Sequence, residues 1–490
     1  NYKYGLWLRA INHIFKLNLR TMKSLLLRAL LVLICVAGSV QVSAKNEKGL
    51  VGAIKVETPK RPKGQKDVLL LIAPKLDTVR VGFIGVGNRG ISAVERWTKI
   101  PGAKITAICD LRPELVERAQ NTVVKAGMPK AATYDTDENA WKQLCQRDDV
   151  DLVYIVTDWI PHAEMARFAM ECGKHAVIEV PAAMSMDEIW MLIDTSEKTR
   201  KHCMMLENCI YDQFELTALN MAQKGLFGEI LNVQGGYIHH LFDRNWPIGK
   251  RDWRITYNKL HRGDLYPTHG LGPICQLLNI HRGDRIKTLV SMDTKAVEGS
   301  LVWKAMGKAD PENFKNGDHT MTFMRTEKGK SILIEHNVMT PRPYNRKYQL
   351  TGSRGYANKY PVEEFCFAKE VIANEPEFKG VKINEHDAIP EGIQKVLMEK
   401  YMHPIWKELQ DVAKKVGGHG GMDYIMDYRL VYCLRNGLPL DMDVYDLAEW
   451  CCVVELSRLS IENGCAPVEV PDFTRGAWDK IEGYSHAMAE

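Results

Sequence analysis

The first half of the chain alternates short hydrophobic runs with amphipathic stretches. Residues 79–84 alternate and then run apolar, as a buried strand does, and a helical pattern follows at 91–97. Further strands are predicted at 104–109, 152–156, 175–178 and 203–206, and further helices at 113–127, 140–145, 163–172 and 186–201. Strands that alternate with helices at this spacing predict an α/β domain built on a doubly wound parallel sheet.

The hydrophobic pattern changes period beyond residue 209. After a helix predicted at 211–224, apolar and polar residues alternate in five segments, at 229–239, 287–293, 319–326, 331–337 and 348–351. Period-two alternation predicts strands of a mostly antiparallel, open sheet with one buried face. Helices are predicted at 397–415, 424–434 and 444–462, so an α+β domain is expected here.

Four parts are expected along the chain: an upstream segment and signal peptide at 1–44, a Lys-, Pro- and Gly-rich linker at 45–76, the α/β domain at 77–208 and the α+β domain at 209–490.

The 490 residues are 45% hydrophobic and 26% charged, which suits two domains that each bury a core. The net charge of +4 does not predict nucleic acid or another polyanion as a partner. The 12 cysteines are scattered and form no repeated C-x-x-C, so buried free thiols are expected.

The N-terminal region has the pattern of an export signal. A short basic start at 22–28 precedes an apolar run at 29–40, and Val42-Ser43-Ala44 has the small-residue spacing of a signal-peptidase site. A signal peptide from Met22 to Ala44 is therefore predicted, with a periplasmic or secreted mature chain that has no membrane span. A lipoprotein anchored at Cys35 is disfavoured by the large Ile34, and the apolar run is too short for a transmembrane anchor.

A glycine-rich turn follows the first predicted strand. Gly85-Val86-Gly87-Asn88-Arg89-Gly90 is G-x-G-x-x-G between a strand and a helix, the setting in which this motif binds the pyrophosphate of a dinucleotide. Asp110 ends the second strand about 20 residues later, where a carboxylate accepts from a ribose hydroxyl and repels a 2′-phosphate. The combination predicts a Rossmann domain and favours NAD over NADP. A glycine-rich turn of another α/β protein is the alternative.

The carboxyl ends of the other parallel strands carry polar residues. Ligands of open α/β sheets bind at these ends, so the segments 157–162, 179–181 and 207–208 are site candidates by position alone.

Tyr266 and His269 have the spacing and chemistry of a proton-transfer pair. They follow the turn-forming Gly263-Asp264 and lie three residues apart, so a helical turn there would place both side chains on one face. Histidine exchanges protons near neutral pH. A His that caps the following helix beside a packed Tyr is the alternative.

These motifs together resemble the Gfo/Idh/MocA oxidoreductase family over nearly all of the chain beyond the signal peptide. That family has Glu-Lys-Pro after the strand that corresponds to 175–178, and its Lys assists hydride chemistry on a sugar hydroxyl, whereas this chain has Glu179-Val180-Pro181. With Val180, the segments 263–270, 341–344 and 419–429 are similar to glycoside hydrolase family 109, a branch that contains NAD-dependent α-N-acetylgalactosaminidases.

The resemblance implies a set of residues for each ligand. For NAD it implies Asn88 and Arg89 along the phosphates, Asp110 on the ribose, Trp159, Ile160, Pro161, His162, Glu179 and Val180 beside the adenosine–nicotinamide path, and Asn208 and Tyr266 near the nicotinamide. For the sugar it implies Tyr237, Arg254, Tyr266, Pro267, Thr268, His269 and Tyr344, with Tyr348 as an alternative to Tyr344. His269 and Tyr266 are the expected catalytic residues.

The implied function is a glycosidase of carbohydrate metabolism that hydrolyses terminal α-N-acetylgalactosamine residues of a glycan or glycoside. The implied route is oxidation, elimination, water addition and reduction, with NAD regenerated. An NAD-dependent sugar dehydrogenase or epimerase of the same fold, and a catalytically idle sugar-binding protein that keeps NAD, are the alternatives. A homodimer through the open sheet is expected.

No metal site is expected from the sequence. His239 and His240 are adjacent on a predicted strand and point to opposite faces. Asp441, Asp443 and Asp446 are interpreted as helix-start residues rather than calcium ligands.

Overall fold

A computed structural model describes residues 52–484 apart from 248, 250 and 251. The predicted signal peptide, the lipoprotein alternative at Cys35 and the expected start of the mature chain lie outside the described residues.

The first sheet is parallel throughout and has six strands: β1 (Val79–Ile84), β2 (Ala103–Cys109), β3 (Ala132–Tyr134), β4 (Leu152–Ile155), β5 (His175–Ile178) and β6 (Cys203–Met205). The strand order is β3-β2-β1-β4-β5-β6. The helices that alternate with these strands are α1 (Asn88–Trp97), α2 (Pro113–Lys125), α3 (Ala140–Cys145), α4 (His162–Glu171) and α5 (Met186–Thr199). This arrangement confirms the predicted doubly wound sheet, in which the chain starts at the centre and the order reverses beside β1.

The second sheet has eight strands: β7 (Ile230–Ile238), β8 (Ile286–Asp293), β9 (Thr320–Thr326), β10 (Ser331–Asn337), β11 (Gln349–Gly352), β12 (Gly355–Asn358), β13 (Glu364–Phe367) and β14 (Val468–Glu469). The order is β13-β12-β11-β7-β10-β9-β8-β14. The pair β7–β10 is parallel and the other pairs are antiparallel. The predicted mostly antiparallel sheet is confirmed.

The remaining α-helices are α6 (Gln213–Gln223), α7 (Asp252–Leu260), α8 (Thr268–Leu277), α9 (Glu298–Ala305), α10 (Lys369–Asn374), α11 (Glu391–Lys400), α12 (Pro404–Val416), α13 (Met422–Asn436) and α14 (Val444–Glu462). The helix predicted at 397–415 is in fact two helices, α11 and α12. Pro404 begins the second one, because the residue before a proline is disfavoured in helical conformation and the His403 side chain accepts from the Ile405 N–H as a cap.

The segment predicted as a linker is packed against the α+β part where it is described. The Ile54 N–H donates to the Pro467 carbonyl at 2.8 Å, and the Glu469 N–H donates to the Ile54 carbonyl at 2.9 Å. Val68 is buried, and its N–H donates to the Tyr445 hydroxyl at 3.1 Å. The high Lys, Pro and Gly content of this segment does not predict these contacts, which a few apolar residues make. Residues 52–76 are therefore partly packed against the α+β part.

The last long helix joins the two sheets. Helix α14 packs against β8 of the second sheet and against α5 and β6 of the first, and nearly all of its residues are buried. Most of its residues are apolar, as expected of a helix that lies in an interior. Its start is a capping box in which Asp443 and Asp446 each accept from the other's backbone N–H, which confirms the interpretation of these two residues. Its buried Glu449 forms an ion pair with His281 at 2.8 Å.

The 11 cysteines of the described region are all free, and eight of them are buried, as expected. Among the described residues, no helix combines the length and hydrophobicity that a membrane crossing requires.

Helix α8 approaches strand β7 more closely than side chains would allow. A Cβ built on Gly270 would lie 2.2 Å from the Gly236 nitrogen, and one built on Gly235 would lie 2.2 Å from the Gly270 carbonyl oxygen. Both contacts are with backbone, which cannot move aside as a flexible side chain can. Glycine at these positions therefore fixes where the start of α8, including His269, lies above the sheet.

This contact predicts a stability effect. Gly270→Ala forces α8 and β7 apart and is expected to lower the free energy of unfolding by about 1–3 kcal/mol, the usual cost of overpacking. Gly392→Ala in α11 is the matched control, because a Cβ there meets nothing within 4 Å. Thermal and urea unfolding of both variants measure the difference, and equal midpoints would contradict the proposed contact.

Candidate active site

The glycine-rich turn has the tight geometry that a dinucleotide loop needs. Gly85 has φ +86°, and a Cβ there would lie 2.5 Å from the Val156 carbonyl oxygen. A Cβ on Gly90 would lie 2.2 Å from the Gly85 carbonyl oxygen, so glycine allows α1 to pack onto the turn. Over Gly87 the space is open apart from the Arg112 guanidinium, 3.4 Å from a built Cβ. A turn with free N–H groups, open space and a nearby cation fits a pyrophosphate.

Asp110 ties the end of β2 to this turn. One carboxylate oxygen accepts from the Val86 N–H at 2.9 Å, and the other accepts from the Arg112 N–H at 3.1 Å and from its Nε at 3.0 Å. Each carboxylate oxygen has two acceptor sites. The first oxygen also accepts from the Arg112 Nη2 at 3.3 Å, so all four sites are used, and a ribose hydroxyl would take the place of a contact with the exposed Arg112 side chain.

The Arg89 side chain is occupied by two carboxylates rather than standing free for a phosphate. Its guanidinium contacts Glu179 at the end of β5 and Asp423 at the start of α13, each at 2.6 Å. Burial opposes the charge, but these two anions raise the pKa of Arg89 well above its ordinary value. The backbone of Asn88 and Arg89 begins α1 beside the turn, and the Arg89 side chain links three separate segments.

Asp423 is a functional candidate that the sequence analysis did not assign. Besides Arg89, it accepts from the Asn208 side chain at 2.6 Å, and it lies 2.9 Å from the His419 ring nitrogen. Burial would raise the pKa of Asp423, but His419, Arg89 and Arg96 together lower it well below the ordinary value. Only the resemblance of the 419–429 segment pointed to this region.

A run of left-handed residues brings the chain to Asp423. The five residues 417–421 all have positive φ, between +45° and +111°, and four of them are glycine. A Cβ on Gly418 would lie 2.7 Å from the Asp423 Cβ. Glycine therefore allows the chain to curl around the carboxylate that binds the cofactor turn.

The loop after β4 divides between the interior and solvent. Trp159 is buried, whereas Ile160 is 71% exposed. His162 is buried, with Nδ1 2.9 Å from the Pro181 carbonyl oxygen and Nε2 3.3 Å from that of Thr157. Burial lowers the pKa of His162, and the neutral ring has one N–H, so it donates to one of these two carbonyls and only packs against the other. Val180, in the second of these loops, is also buried.

An aromatic cluster surrounds a buried cation. The Arg254 guanidinium carbon lies 4.4 Å from the Tyr266 ring centroid and 5.0 Å from that of Trp159. The Tyr237 and Tyr266 centroids are 4.6 Å apart. Among the described residues Arg254 has no ion-pair partner, and its buried Nη2 has no hydrogen-bond partner. The arrangement leaves guanidinium donors for a ligand, while the π faces stabilise the charge.

His269 stands at the edge of this cluster in the first turn of α8. Its ring centroid lies 5.1 Å from Tyr266 and 5.4 Å from Tyr237, and its Nδ1 lies 2.7 Å and 2.9 Å from the two Glu207 carboxylate oxygens. Burial raises the pKa of Tyr266 well above its ordinary value even though Arg254 opposes this, so the phenol stays protonated. Tyr266 and His269 thus lie together, as predicted. Glu207 also contacts His269, and the sequence had indicated Glu207 only as a residue at a strand end.

The structure separates the two tyrosines that the sequence left open. Tyr344 is 45% exposed, and its ring lies 5.0 Å from His239 beside the cluster. Tyr348 is buried, and its hydroxyl donates to the Glu215 carbonyl at 3.2 Å. Of the other residues implied for the sugar, Pro267 precedes α8 and Thr268 is fully buried in its first turn. Tyr344 is therefore available to a ligand, and the Thr268 side chain is not.

Three potential metal ligands also meet here within the described region. Atoms of Glu207, Cys209 and His269 lie within 4.8 Å of one another. However, the Arg346 Nη1 lies 2.9 Å from the Cys209 sulfur, and burial raises the pKa of this thiol well above its ordinary value. A neutral thiol beside a guanidinium suits hydrogen bonding better than cation binding, so we do not assign a metal centre.

Comparison with known families identifies both parts of the chain. Residues 79–207 match the oxidoreductase family with an NAD-binding Rossmann fold, and residues 211–480 match the C-terminal domain of glycosyl hydrolase 109. The chain belongs to glycosyl hydrolase family 109. Its Rossmann domain binds NAD, for which the turn at Gly85–Gly90 and Asp110 are suited.

Relatives within family 109 cover nearly the whole chain. Glycosyl hydrolase family 109 protein 1 of Bacteroides thetaiotaomicron is 63% identical over 470 residues, which are 96% of this chain and 100% of that protein. A family 109 protein of Porphyromonas gingivalis is 63% identical over 437 residues, 89% of this chain and 93% of its own length.

Solved structures share the fold at low identity. Levoglucosan dehydrogenase in complex with NADH and L-sorbose has a TM-score of 0.61 at 18% identity, over 81% of this chain and 100% of that one. Myo-inositol dehydrogenase from Lactobacillus casei, in complex with NAD(H) and myo-inositol, has a TM-score of 0.52 at 17% identity, over 81% and 99%. These similarities show the fold alone, because a fold does not determine the chemistry it carries.

The Asp423 contacts predict how this family 109 protein retains NAD. Asp423→Asn removes the anion that holds Arg89 and the turn, and is expected to weaken NAD binding by about 10- to 100-fold, the value of one or two charge-assisted hydrogen bonds. The bound dinucleotide per protein and its dissociation rate measure the effect. Asp427→Asn, one turn along α13, is the matched control because Asp427 binds Arg96 and Tyr154 instead. Equal NAD loss in both variants would contradict a specific role for Asp423.

Proposed function

We propose that this family 109 enzyme hydrolyses terminal α-N-acetylgalactosaminides through transient oxidation of the sugar. The observation that carries the proposal is the cluster of His269, Tyr266, Tyr237 and Arg254, joined through Glu207 to the carboxyl end of a strand in the NAD-binding sheet. Ligands of such sheets bind at that edge. A sugar in the cluster would thus lie beside the cofactor.

The carboxylates around the cluster support a route other than direct displacement. Ordinary glycosidases place one carboxyl on each side of the scissile bond, and NAD-dependent enzymes are an exception to this scheme. Here Glu207 is fully buried against His269, and Glu179 and Asp423 are held by Arg89. None of the three is presented as a free nucleophile or acid.

The chemistry divides between the cofactor and the side chains. NAD, when bound, supplies reversible oxidation of the C3 hydroxyl and is regenerated within each cycle. A ketone at C3 acidifies the C2 proton, so a moderate base suffices for the elimination that releases the C1 oxygen. His269 Nε2 takes the C3 hydroxyl proton or the C2 proton, and the protonated Tyr266 donates a hydrogen bond to the same part of the sugar.

Arg254 and the tyrosines suit an amide-bearing sugar. The unpartnered Arg254 Nη2 can donate to an amide or hydroxyl oxygen, and its guanidinium is held in place by the Tyr266 and Trp159 rings. Tyr237 and the half-exposed Tyr344 both pack against the His239 ring, with centroid distances of 5.6 Å and 5.0 Å. Together with the family resemblance, these contacts support N-acetylgalactosamine as the sugar.

The decisive experiment is turnover of an aryl α-N-acetylgalactosaminide in deuterated water. Deuterium is expected at C2 of the released sugar, with no net NADH, because C2 is deprotonated and reprotonated in each cycle. His269→Ala is expected to lower kcat by about 10²- to 10⁴-fold with sugar affinity retained. Unlabelled C2 would mean direct displacement at C1, stoichiometric NADH would mean a dehydrogenase, and sugar binding without turnover by the wild type would mean an idle binding protein.

We also propose that the protein is exported with its cofactor bound. The predicted signal peptide at 22–44 supports export, and an exported enzyme cannot draw on the cytosolic NAD pool. The contacts of Asp423 and Arg89 support a tightly held cofactor, which a regenerating cycle requires.

A second copy of the chain is the proposed partner of the open face of the second sheet. Phe323 on β9 is 57% exposed and lies directly opposite Val290 on β8 and Leu333 on β10. An apolar row across three strands favours association. Phe323→Asp is expected to convert a dimer into a monomer in light scattering, whereas Leu438→Asp, at an exposed apolar residue outside this sheet, should not. A wild type that is monomeric at micromolar concentration would contradict the proposal.

A further inference from the structure

The contact between Glu207 and His269 is bifurcated, and the carboxylate is fully buried. The two carboxylate oxygens lie 2.7 Å and 2.9 Å from the same ring nitrogen, Nδ1, and Glu207 is 0% exposed. Among the described residues His269 Nε2 has no hydrogen-bond partner. Nδ1 is therefore fixed by an anion, while Nε2 is left for a ligand, on a ring that packs against Tyr266 and Tyr237.

Glu207 is held as an anion. Burial alone would raise the pKa of Glu207, but the His269 ring and the Cys209 N–H, which donates at 3.1 Å, hold it below its ordinary value. An ionised carboxylate only accepts hydrogen bonds, so the neutral imidazole beside it must carry its proton on Nδ1. Nε2 is then an acceptor, which is the form that a base requires.

The backbone of α8 lies close to the Glu207 side chain. A Cβ on Gly272, one turn after His269 on α8, would lie 2.8 Å from the Glu207 Cγ. Gly270 presses the same helix onto β7, as described above. Glu207 follows β6 of the first sheet, whereas His269 begins α8, which packs on β7 of the second sheet. The two residues meet because the glycines of α8 allow the backbones to approach.

We propose that Glu207 is a positioning residue that fixes the tautomer of His269 and stabilises its protonated form. The catalytic part of this inference rests on the proposed function. When Nε2 takes a proton from the sugar, the Nδ1 proton stays on the ring, and Glu207 neutralises the imidazolium without itself being protonated. The reverse transfer returns the proton to the sugar or to the departing oxygen, so the pair is restored after each cycle.

Other ionisable groups lie around the pair: the Tyr237 and Tyr266 rings pack against His269, Cys209, Glu215 and Cys451 interact with Glu207, and Arg254 and Arg346 contact Tyr266 and Cys209 in turn. Asp264 accepts from the Tyr266 N–H, and burial raises the pKa of this carboxyl to about 7. These groups stay the same in every Glu207 variant, so a difference between the variants reports on Glu207.

The test compares Glu207→Gln, Glu207→Asp and the matched control Glu449→Gln. Glu207→Gln keeps the shape but removes the charge, and kcat is expected to fall by about 100-fold or more with KM and NAD content near those of the wild type. The limb of the kcat/KM profile that reports the base is expected to move to lower pH, because the protonated ring has lost its anion. Glu207→Asp retains the charge, so it should recover part of kcat and the position of the limb.

Glu449→Gln removes the charge from another buried Glu–His pair, outside the cluster. It is expected to lower the melting temperature without shifting the pH limb. If Glu207→Gln keeps the wild-type kcat and pH profile, or changes only stability as Glu449→Gln does, the inference is overturned.

A readout that needs no turnover separates this inference from the proposed function. In the wild-type protein with ¹⁵N-labelled histidine, the His269 signals are expected to show the proton on Nδ1, and in Glu207→Gln this preference should weaken. A wild type with this tautomer but no C2 labelling would refute the proposed function and leave the positioning intact. A wild type with the proton on Nε2 would refute the positioning itself.

Discussion

The close approach of α8 to β7 is the constraint on which the site depends. Gly270 lies against Gly235 and Gly236 with no room for a Cβ on either side, and Gly272 gives the same freedom to Glu207. Because the contacts are with backbone, the height of α8 above the sheet cannot adjust to a larger residue. His269, in the first turn of that helix, is thereby held where a carboxylate from the NAD-binding sheet reaches its ring.

Charge performs the corresponding task at the cofactor turn. Arg89 leaves the glycine-rich turn and binds Glu179 and Asp423, so the segment that begins α13 is tied to the loop that would hold the pyrophosphate. Removing one partner of such a buried network leaves an uncompensated charge, which costs more than the pair itself contributes. A cofactor that is regenerated in place, as proposed above, would be held by such a network.

The fold is shared with dehydrogenases, and the difference in chemistry therefore lies in individual side chains. Val180 stands where the resembling oxidoreductases have a lysine, and here it is buried. The groups proposed to transfer protons in this chain lie instead on α8 and at the end of β6. The same parallel sheet can thus serve a dehydrogenase or a hydrolase, depending on which groups meet the sugar.

The sequence by itself determined the elements whose pattern is local. The Rossmann alternation, the glycine-rich turn with Asp110, the period-two strands and the helix at 444–462 all follow from hydrophobic spacing and turn residues, which act within a few positions. The Tyr266–His269 pair was also within reach, because a helical turn places residues three apart on one face. Short strands such as β3, β12, β13 and β14 were missed, since two to four residues carry too little periodicity.

Only the tertiary structure decided that Glu207 meets His269, that Asp423 meets Arg89, and that Tyr344 rather than Tyr348 is open to a ligand. Those outcomes depend on how closely separate backbones approach and on which face packs inward, and neither is encoded in any short stretch of the chain.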